Sequence, residues 1–111
     1  MVCLLVLALF AVGEPSPPGE ERAYRIEDCT VQVRVATKGC HVLVGKGEEC
    51  NNIHGVKAEK AFLKETYPGY SLQKQFLAHS VDTPPRTTDY VTIVTANGEK
   101  KGVCFDITDL W

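Results

Sequence analysis

Tyr90-Val91-Thr92-Ile93-Val94-Thr95-Ala96-Asn97-Gly98-Glu99-Lys100-Lys101-Gly102-Val103-Cys104-Phe105-Asp106-Ile107 is the stretch whose reading decides the fold. Two arms rich in β-branched and aromatic residues flank Asn-Gly, the strongest short signal for a β-hairpin. With Asn97-Gly98 as a two-residue loop, Val91 faces Cys104 and Ile93 faces Gly102, while Tyr90 pairs with Phe105 and Thr92 with Val103. Both faces of the hairpin are then partly apolar. The Val91, Ile93, Cys104 face is available for packing, and Tyr90 with Phe105 forms an aromatic patch on the other.

A second hairpin lies upstream. Val31, Val33 and Val35 alternate with Thr30, Gln32 and Arg34 before Lys38-Gly39, and Cys40 to Val44 returns. A two-residue Lys38-Gly39 loop sets Val35 opposite Val42 and Val33 opposite Val44, with Cys29 and Cys40 on the same face. Between the hairpins, Asn51-Asn52 offers an N-cap and Ile53 to Tyr67 reads as a helix. Its apolar side comprises Ala58, Ala61 and Phe62 with Val56 and Leu63, and Pro68-Gly69 ends it. Tyr70 to His79 reads as a strand by alternation, with a helix as the competing reading. Val81 to Thr88 is a polar loop containing Pro84, Pro85 and Arg86. The expected fold is α+β: a small antiparallel sheet of about five strands, two hairpins among them, packed on one helix and held by two disulfides.

The N-terminus sets the compartment. Val2 to Val12 is apolar, far short of the roughly 20 residues a membrane span needs, and it is followed by Gly13-Glu14-Pro15. The expectation is a signal peptide over 1–13, cleaved after Gly13, although no Lys or Arg precedes the apolar run. A flexible Pro/Glu-rich linker over 14–23 and one domain over 24–111 follow. Cleavage removes Cys3 and leaves Cys29, Cys40, Cys50 and Cys104, an even set suited to an oxidising compartment, secreted or periplasmic. Four cysteines permit three pairings. The first hairpin's register brings Cys29 near Cys50. If the Val91, Ile93, Cys104 face packs on the helix and first hairpin, Cys40 pairs with Cys104. No membrane span is expected after cleavage.

Charge excludes some partners. The chain carries 12 Lys and Arg against 14 Asp and Glu, a net charge of −2, with the cations dispersed. Neutralising phosphates needs a basic surface, so nucleic acid is not the expected partner.

Enzymatic readings find types without motifs. His41 adjoins Cys40 and His54 follows Cys50 by four, but a fully paired cysteine set leaves no thiolate nucleophile. Cys50 and His54, with Glu48, Glu49 and His79, lack the second tight ligand pair of a zinc site. A hydrolase would draw on His41, His54, His79, Glu48 and Glu49, which no motif binds together. Glu20, Glu21, Glu27 and Asp28 read as a solvated acidic flank, and Gly45-Lys46-Gly47 as a connecting turn. No catalytic residue, metal or cofactor is expected.

From Lys57 onward the chain resembles PepSY-type domains. The residues that carry the likeness are Ala61 to Gly69 (helix into Tyr67-Pro68-Gly69), Asp89 to Ile93, Asn97 to Lys101 and Val103 to Asp106. The likeness covers about half the chain, and Pro84-Pro85-Arg86 and Cys104 depart from it. It implies an extracytoplasmic binding or inhibitory module, in some cases directed at peptidases. A cystatin-like sheet wrapped on one helix shares the outline, but His41 to Gly45 precedes the helix here. The expected function is a secreted, non-enzymatic module that binds another protein as a protease inhibitor or effector. Pro84, Pro85, Arg86, Tyr90 and Phe105 are its candidate contact residues. The alternative is a small secreted hydrolase using a His/carboxylate pair. Leu110-Trp111 either caps the core or projects as an anchor.

Overall fold

The computed structural model describes residues 19–47 and 49–111; the expected signal peptide and the linker as far as Pro18 lie outside the described residues. Strands β1 (Glu21–Ile26), β2 (Cys29–Arg34) and β3 (His41–Lys46) precede helix α1 (Asn52–Thr66). Strands β4 (Ser71–His79), β5 (Thr87–Val94) and β6 (Lys100–Asp106) follow it, and a 3-10 turn at Thr108–Leu110 closes the chain. The six strands form one sheet in the order β1-β2-β3-β6-β5-β4. Each half is an antiparallel meander. They meet along a parallel β3–β6 junction of only two residue pairs, His41 with Phe105 and Val42 with Asp106. The sheet is therefore mixed and six-stranded, where an antiparallel sheet of about five strands was expected.

The additional strand is β1, which begins inside the expected linker. Arg22, Tyr24 and Ile26 turn toward the helix side while Glu21, Ala23 and Arg25 are exposed, and the Glu27-Asp28 turn returns the chain to Cys29. Glu27 adopts φ 58 there. The carboxylates expected to be a solvated flank take partners along this edge. Glu20 meets Arg22 at 3.4 Å, Glu21 meets Arg34 at 3.2 Å, and Glu27 lies 3.6 Å from Lys57.

Both hairpins depart by one residue from the two-residue-loop register, and a one-residue slip exchanges the faces. In the β5–β6 hairpin Thr95 N–H donates to Glu99 C=O at 2.8 Å and Gly98 N–H to Thr95 C=O at 2.8 Å. Ala96-Asn97-Gly98 is thus a three-residue loop, and Gly98 supplies the left-handed conformation (φ +89) at its end. Val91 consequently meets Val103, Asp89 meets Phe105, and Tyr90 meets Cys104. In the first hairpin Val33 meets Leu43 and Gln32 meets Val44. Val35 N–H is taken by Glu20 C=O and Ala36 N–H by His41 Nδ1, which widens the loop beyond Lys38-Gly39. Val42 and Val44 therefore lie on the face opposite Val31 and Val33, and His41 and Leu43 point inward.

The inner face supplies the core: Val31, Val33, Val35, Leu43, Val91, Ile93, Val103 and Phe105 beneath Ala58, Phe62 and Leu63 of α1. Phe62 meets Phe105 edge-on at 5.8 Å, and each aromatic buried this way contributes on the order of 2 kcal/mol. The helix starts where sequence places it. Asn51 Oδ1 accepts from the backbone N–H of Ile53 and His54, and His54 Nδ1 accepts from Asn51 N–H at 3.1 Å. Its buried stripe, His54, Gly55, Ala58, Glu59, Phe62 and Leu63, recurs with helical period. Residues 71–79 form a strand, and the competing helix is absent.

Two disulfides are present. Cys29–Cys50 ties the start of β2 to the segment entering α1, with Cα atoms 5.2 Å apart. Cys40–Cys104 joins the two meanders, with Cα atoms 4.7 Å apart. The second bridge was expected on the helix-packed face. The register instead puts Cys104 beside Tyr90 on the outer face, where the bridge straddles the parallel junction.

Candidate functional site

Helix α1 lies over β1, β2 and the parallel junction and leaves β4 uncovered. Eight of the nine β4 residues are exposed, in contrast to the alternately buried β5. The register places Leu72, Gln75, Leu77 and His79 on the helix side of β4, opposite Ile93, Val91, Asp89 and Thr87. Between this face and α1 runs a cleft. Its larger part, about 620 Å³, is bounded by Ile53, Val56, Lys57 and Lys60 of α1, by Gln75 and Leu77 of β4, and by Ile107 and Trp111. A smaller part of about 250 Å³ continues past Leu63 toward Tyr70 and Leu72.

The walls hold apolar side chains that water has not left. Ile53 is 59 % exposed, Leu77 40 % and Trp111 51 %. Scattered exposed apolar residues are ordinary; several converging on one concavity are the usual mark of a contact site. Trp111 reaches the cleft because the 3-10 turn folds the C-terminus back. Thr87 N–H donates to Thr108 Oγ1 at 2.9 Å, and the Trp111 ring lies 6.0 Å from that of His79. Trp111 therefore lines the cleft, while Leu110 is buried beside Gly45 and Gly55.

The floor contains two acids. Glu59 is 2 % exposed and Asp89 1 %, and Gln75 Nε2 donates to Asp89 Oδ2 at 2.6 Å. Burial, followed by the hydrogen bond and charge of Asp89, pushes the Glu59 carboxyl up to about 10, so it holds its proton at neutral pH. Glu59 Oε2 and Asp89 Oδ1 are sealed from solvent, and neither accepts from an N–H or hydroxyl donor among the described residues. The two acids lie on the floor of the cleft, Glu59 at its smaller part and Asp89 at its larger part.

The expected contact residues separate. Pro84, Pro85 and Arg86 are exposed in the Ser80–Arg86 loop, which Ser80 N–H closes by donating to Arg86 C=O at 2.8 Å. The loop leaves β4 directly after His79, so it adjoins the Trp111 end of the cleft. Tyr90 is half-exposed on the outer face of the sheet, but Phe105 is not beside it. The slipped register turns Phe105 into the core at 0 % exposure. The ring against Tyr90 is Phe76, stacked at 5.1 Å.

The histidines do not gather with carboxylates into a reactive cluster. His41 is held between Phe62 and Phe105, its Nδ1 accepting from Ala36 N–H, and burial first and Arg22 second lower its proton affinity. His54 approaches Glu27 at 3.4 Å, but its Nδ1 is engaged in the helix cap. His79 Nδ1 meets Thr87 Oγ1 at 3.1 Å. Glu48 lies outside the described residues. Among the described residues no group of three or more His, Cys, Asp or Glu is placed to hold a metal ion, and no helix is long and apolar enough to cross a membrane.

Sequence reading missed Ile53, Leu77, Glu59 and Asp89. Glu59 carried a legible signal, because it follows Ala58 on the stripe that also holds Phe62 and Leu63, where a charged residue demands a buried partner. Compared with protein-family models, curated proteins and solved structures, the chain matches none.

Proposed function

We propose that this chain is a secreted, disulfide-held module that binds another protein without transforming it, using the α1–β4 cleft and the adjoining Ser80–Arg86 loop. The observation that carries the reading is the convergence of half-exposed Ile53, Leu77 and Trp111 on one concavity, over a buried floor where Gln75 donates to Asp89. Full burial of a large apolar side chain is worth roughly 2 kcal/mol, and about half of each remains to be gained here. The three together supply on the order of 3 kcal/mol, too little for a stable complex after the cost of association. The loop therefore contributes to the same interface. Its two prolines limit the freedom it loses on docking.

Lys57 and Lys60 stand on the helix lip of the cleft. Their charge favours a partner segment that presents apolar residues flanked by acidic ones. Two disulfides support an extracytoplasmic setting. The binding or inhibitory role that the PepSY likeness implies agrees with this reading, and inhibition of a peptidase is its most specific form.

The test begins with capture from extracellular fluid on the immobilised chain, followed by affinity measurement with the purified captured protein. Ile53→Glu combined with Leu77→Glu is expected to weaken binding at least about tenfold, a loss of 1.4 kcal/mol. Replacing Pro84-Pro85-Arg86 by Gly-Ser-Gly should weaken it as well. Wild-type affinity in both variants would refute the reading.

A further inference from the structure

We infer that the free edge of β4 pairs antiparallel with β4 of a second copy of this chain, making a two-fold dimer with one continuous sheet. The inference does not rest on the partner-binding role: it is argued from the backbone edge and outer face of β4, although Leu77 also borders the cleft.

The two edges of the sheet are built differently. β1 carries Glu21, Arg22 and Arg25 within six residues, and ion pairs to Arg34, Glu20 and Glu65 hold two of these along the strand. Charge on an edge strand is the common protection against unwanted pairing. β4 is longer, with nine residues, and has one charged side chain, Lys74, and one irregularity, between Leu72 and Lys74. From Gln75 to Ala78 there is neither charge nor proline nor bulge. Phe76 and Leu77 are exposed there at 54 % and 40 %.

The backbone groups on this edge can be assigned. Ser80 N–H donates to Arg86 C=O, and the ladder register continues from that pair through Ala78 with Thr88, Phe76 with Tyr90 and Lys74 with Thr92. Hydrogen-bonded and non-hydrogen-bonded pairs alternate in an antiparallel ladder. Gln75, Leu77 and His79 therefore direct their N–H and C=O away from β5, toward solvent, and no strand among the described residues receives them.

The strand is complementary to itself. In two-fold registers centred on Gln75, Phe76 or Leu77, Lys74 meets Phe76, Ala78 or Ser80 of the second copy and never another cation. The register centred on Phe76 uses the outward groups in full, pairing Gln75 with Leu77 and His79 with Gln73 across the junction. It also brings the two Phe76 rings together as a non-hydrogen-bonded pair, where side chains approach most closely. Each Phe76 already stacks on Tyr90, so the outer face would carry a ladder of four aromatic rings. A two-fold axis perpendicular to the sheet leaves both helices on one side. The two α1–β4 clefts then open toward each other as a trough walled by two helices.

Sedimentation velocity on the full secreted chain with both disulfides formed is expected to show concentration-dependent dimers. Hydrogen exchange at dimer concentrations should find the Gln75, Leu77 and His79 amides protected, and dilution should release them. Phe76→Lys places two cations at the two-fold axis, and Leu77→Pro removes an outward N–H while sparing the bonds to β5. Each should weaken dimerisation at least about tenfold with an unchanged far-ultraviolet spectrum and a cooperative unfolding transition retained. A chain that stays monomeric to about 1 mM overturns the proposal. So does a dimer that both variants leave intact, or a monomer whose Gln75, Leu77 and His79 amides are already protected, which would show the edge covered from within the chain.

Discussion

Replacing Glu59 by Gln should convert a strongly pH-dependent stability into a flatter one. Glu59 is buried against Asp89 under the cleft, and its proton is held until about 10, against an ordinary glutamate value of 4.5. The folded state thus binds this proton more tightly than the unfolded chain does. The stability it contributes is complete below 4.5, falls as pH rises through the neutral range, and is lost above about 10. Within that window each pH unit costs the native state about 1.4 kcal/mol, because the unfolded chain releases the proton and the folded chain does not. From pH 6 to pH 8 the loss assigned to Glu59 is about 3 kcal/mol. Glutamine has the same shape, presents an N–H to Asp89 in place of the acid O–H, and does not titrate. Urea unfolding of both proteins at several pH values, disulfides intact, measures the difference directly. The advantage of Glu59→Gln over wild type should grow by about 3 kcal/mol across those two units. A difference that stays constant with pH would refute the claim that Glu59 is protonated in the folded protein.

Changing Cys40 and Cys104 together to Ala should destabilise the chain by about 4 kcal/mol in urea unfolding, since the bridge closes a separation of 64 residues. The same variant should show its largest increase in amide exchange at the two-pair β3–β6 junction rather than within either meander. Gly45→Ala should cost at least about 2 kcal/mol in thermal unfolding. A Cβ there would lie 2.6 Å from Leu110 Cδ2 and 2.7 Å from Cys50 Cβ, contacts that neither a bridged cysteine nor a buried leucine can yield cheaply.

The elements of this fold are written in local chemistry, and most were legible. Asn51 ahead of a helical stripe, Pro68-Gly69 behind it and the alternation along β5 and β6 each place an element without reference to the rest of the chain. The cysteine pairing was legible too, even though the face carrying the second bridge was not. What escaped depends on one residue of register. Asn97-Gly98 supports a two-residue loop or the last two positions of a three-residue one, and only the packing of Phe105 against Phe62 and His41 selects between them. That choice sent Phe105 inward and left Phe76 as the ring beside Tyr90. β1 was hidden for another reason. Arg22, Tyr24 and Ile26 alternate, but they rest on an edge where apolar burial is slight and charges dominate the composition. The cleft is a property of what α1 leaves uncovered, which no local pattern encodes. Its floor was within reach, since Glu59 on the apolar stripe required an acid or amide opposite, and Asp89 sits at the inward phase of β5.

The two-pair parallel junction also orders the chain in time. Within each meander, neighbouring strands are joined by short turns or loops, so their pairings close small loops and can form early and independently. The β3–β6 contact cannot. It requires residues more than sixty positions apart to meet, with α1, β4 and β5 lying between them in the sequence. Two locally assembled halves would then have to find one another across a narrow target, and refolding kinetics are expected to show their docking, not the making of either half, as the slow step.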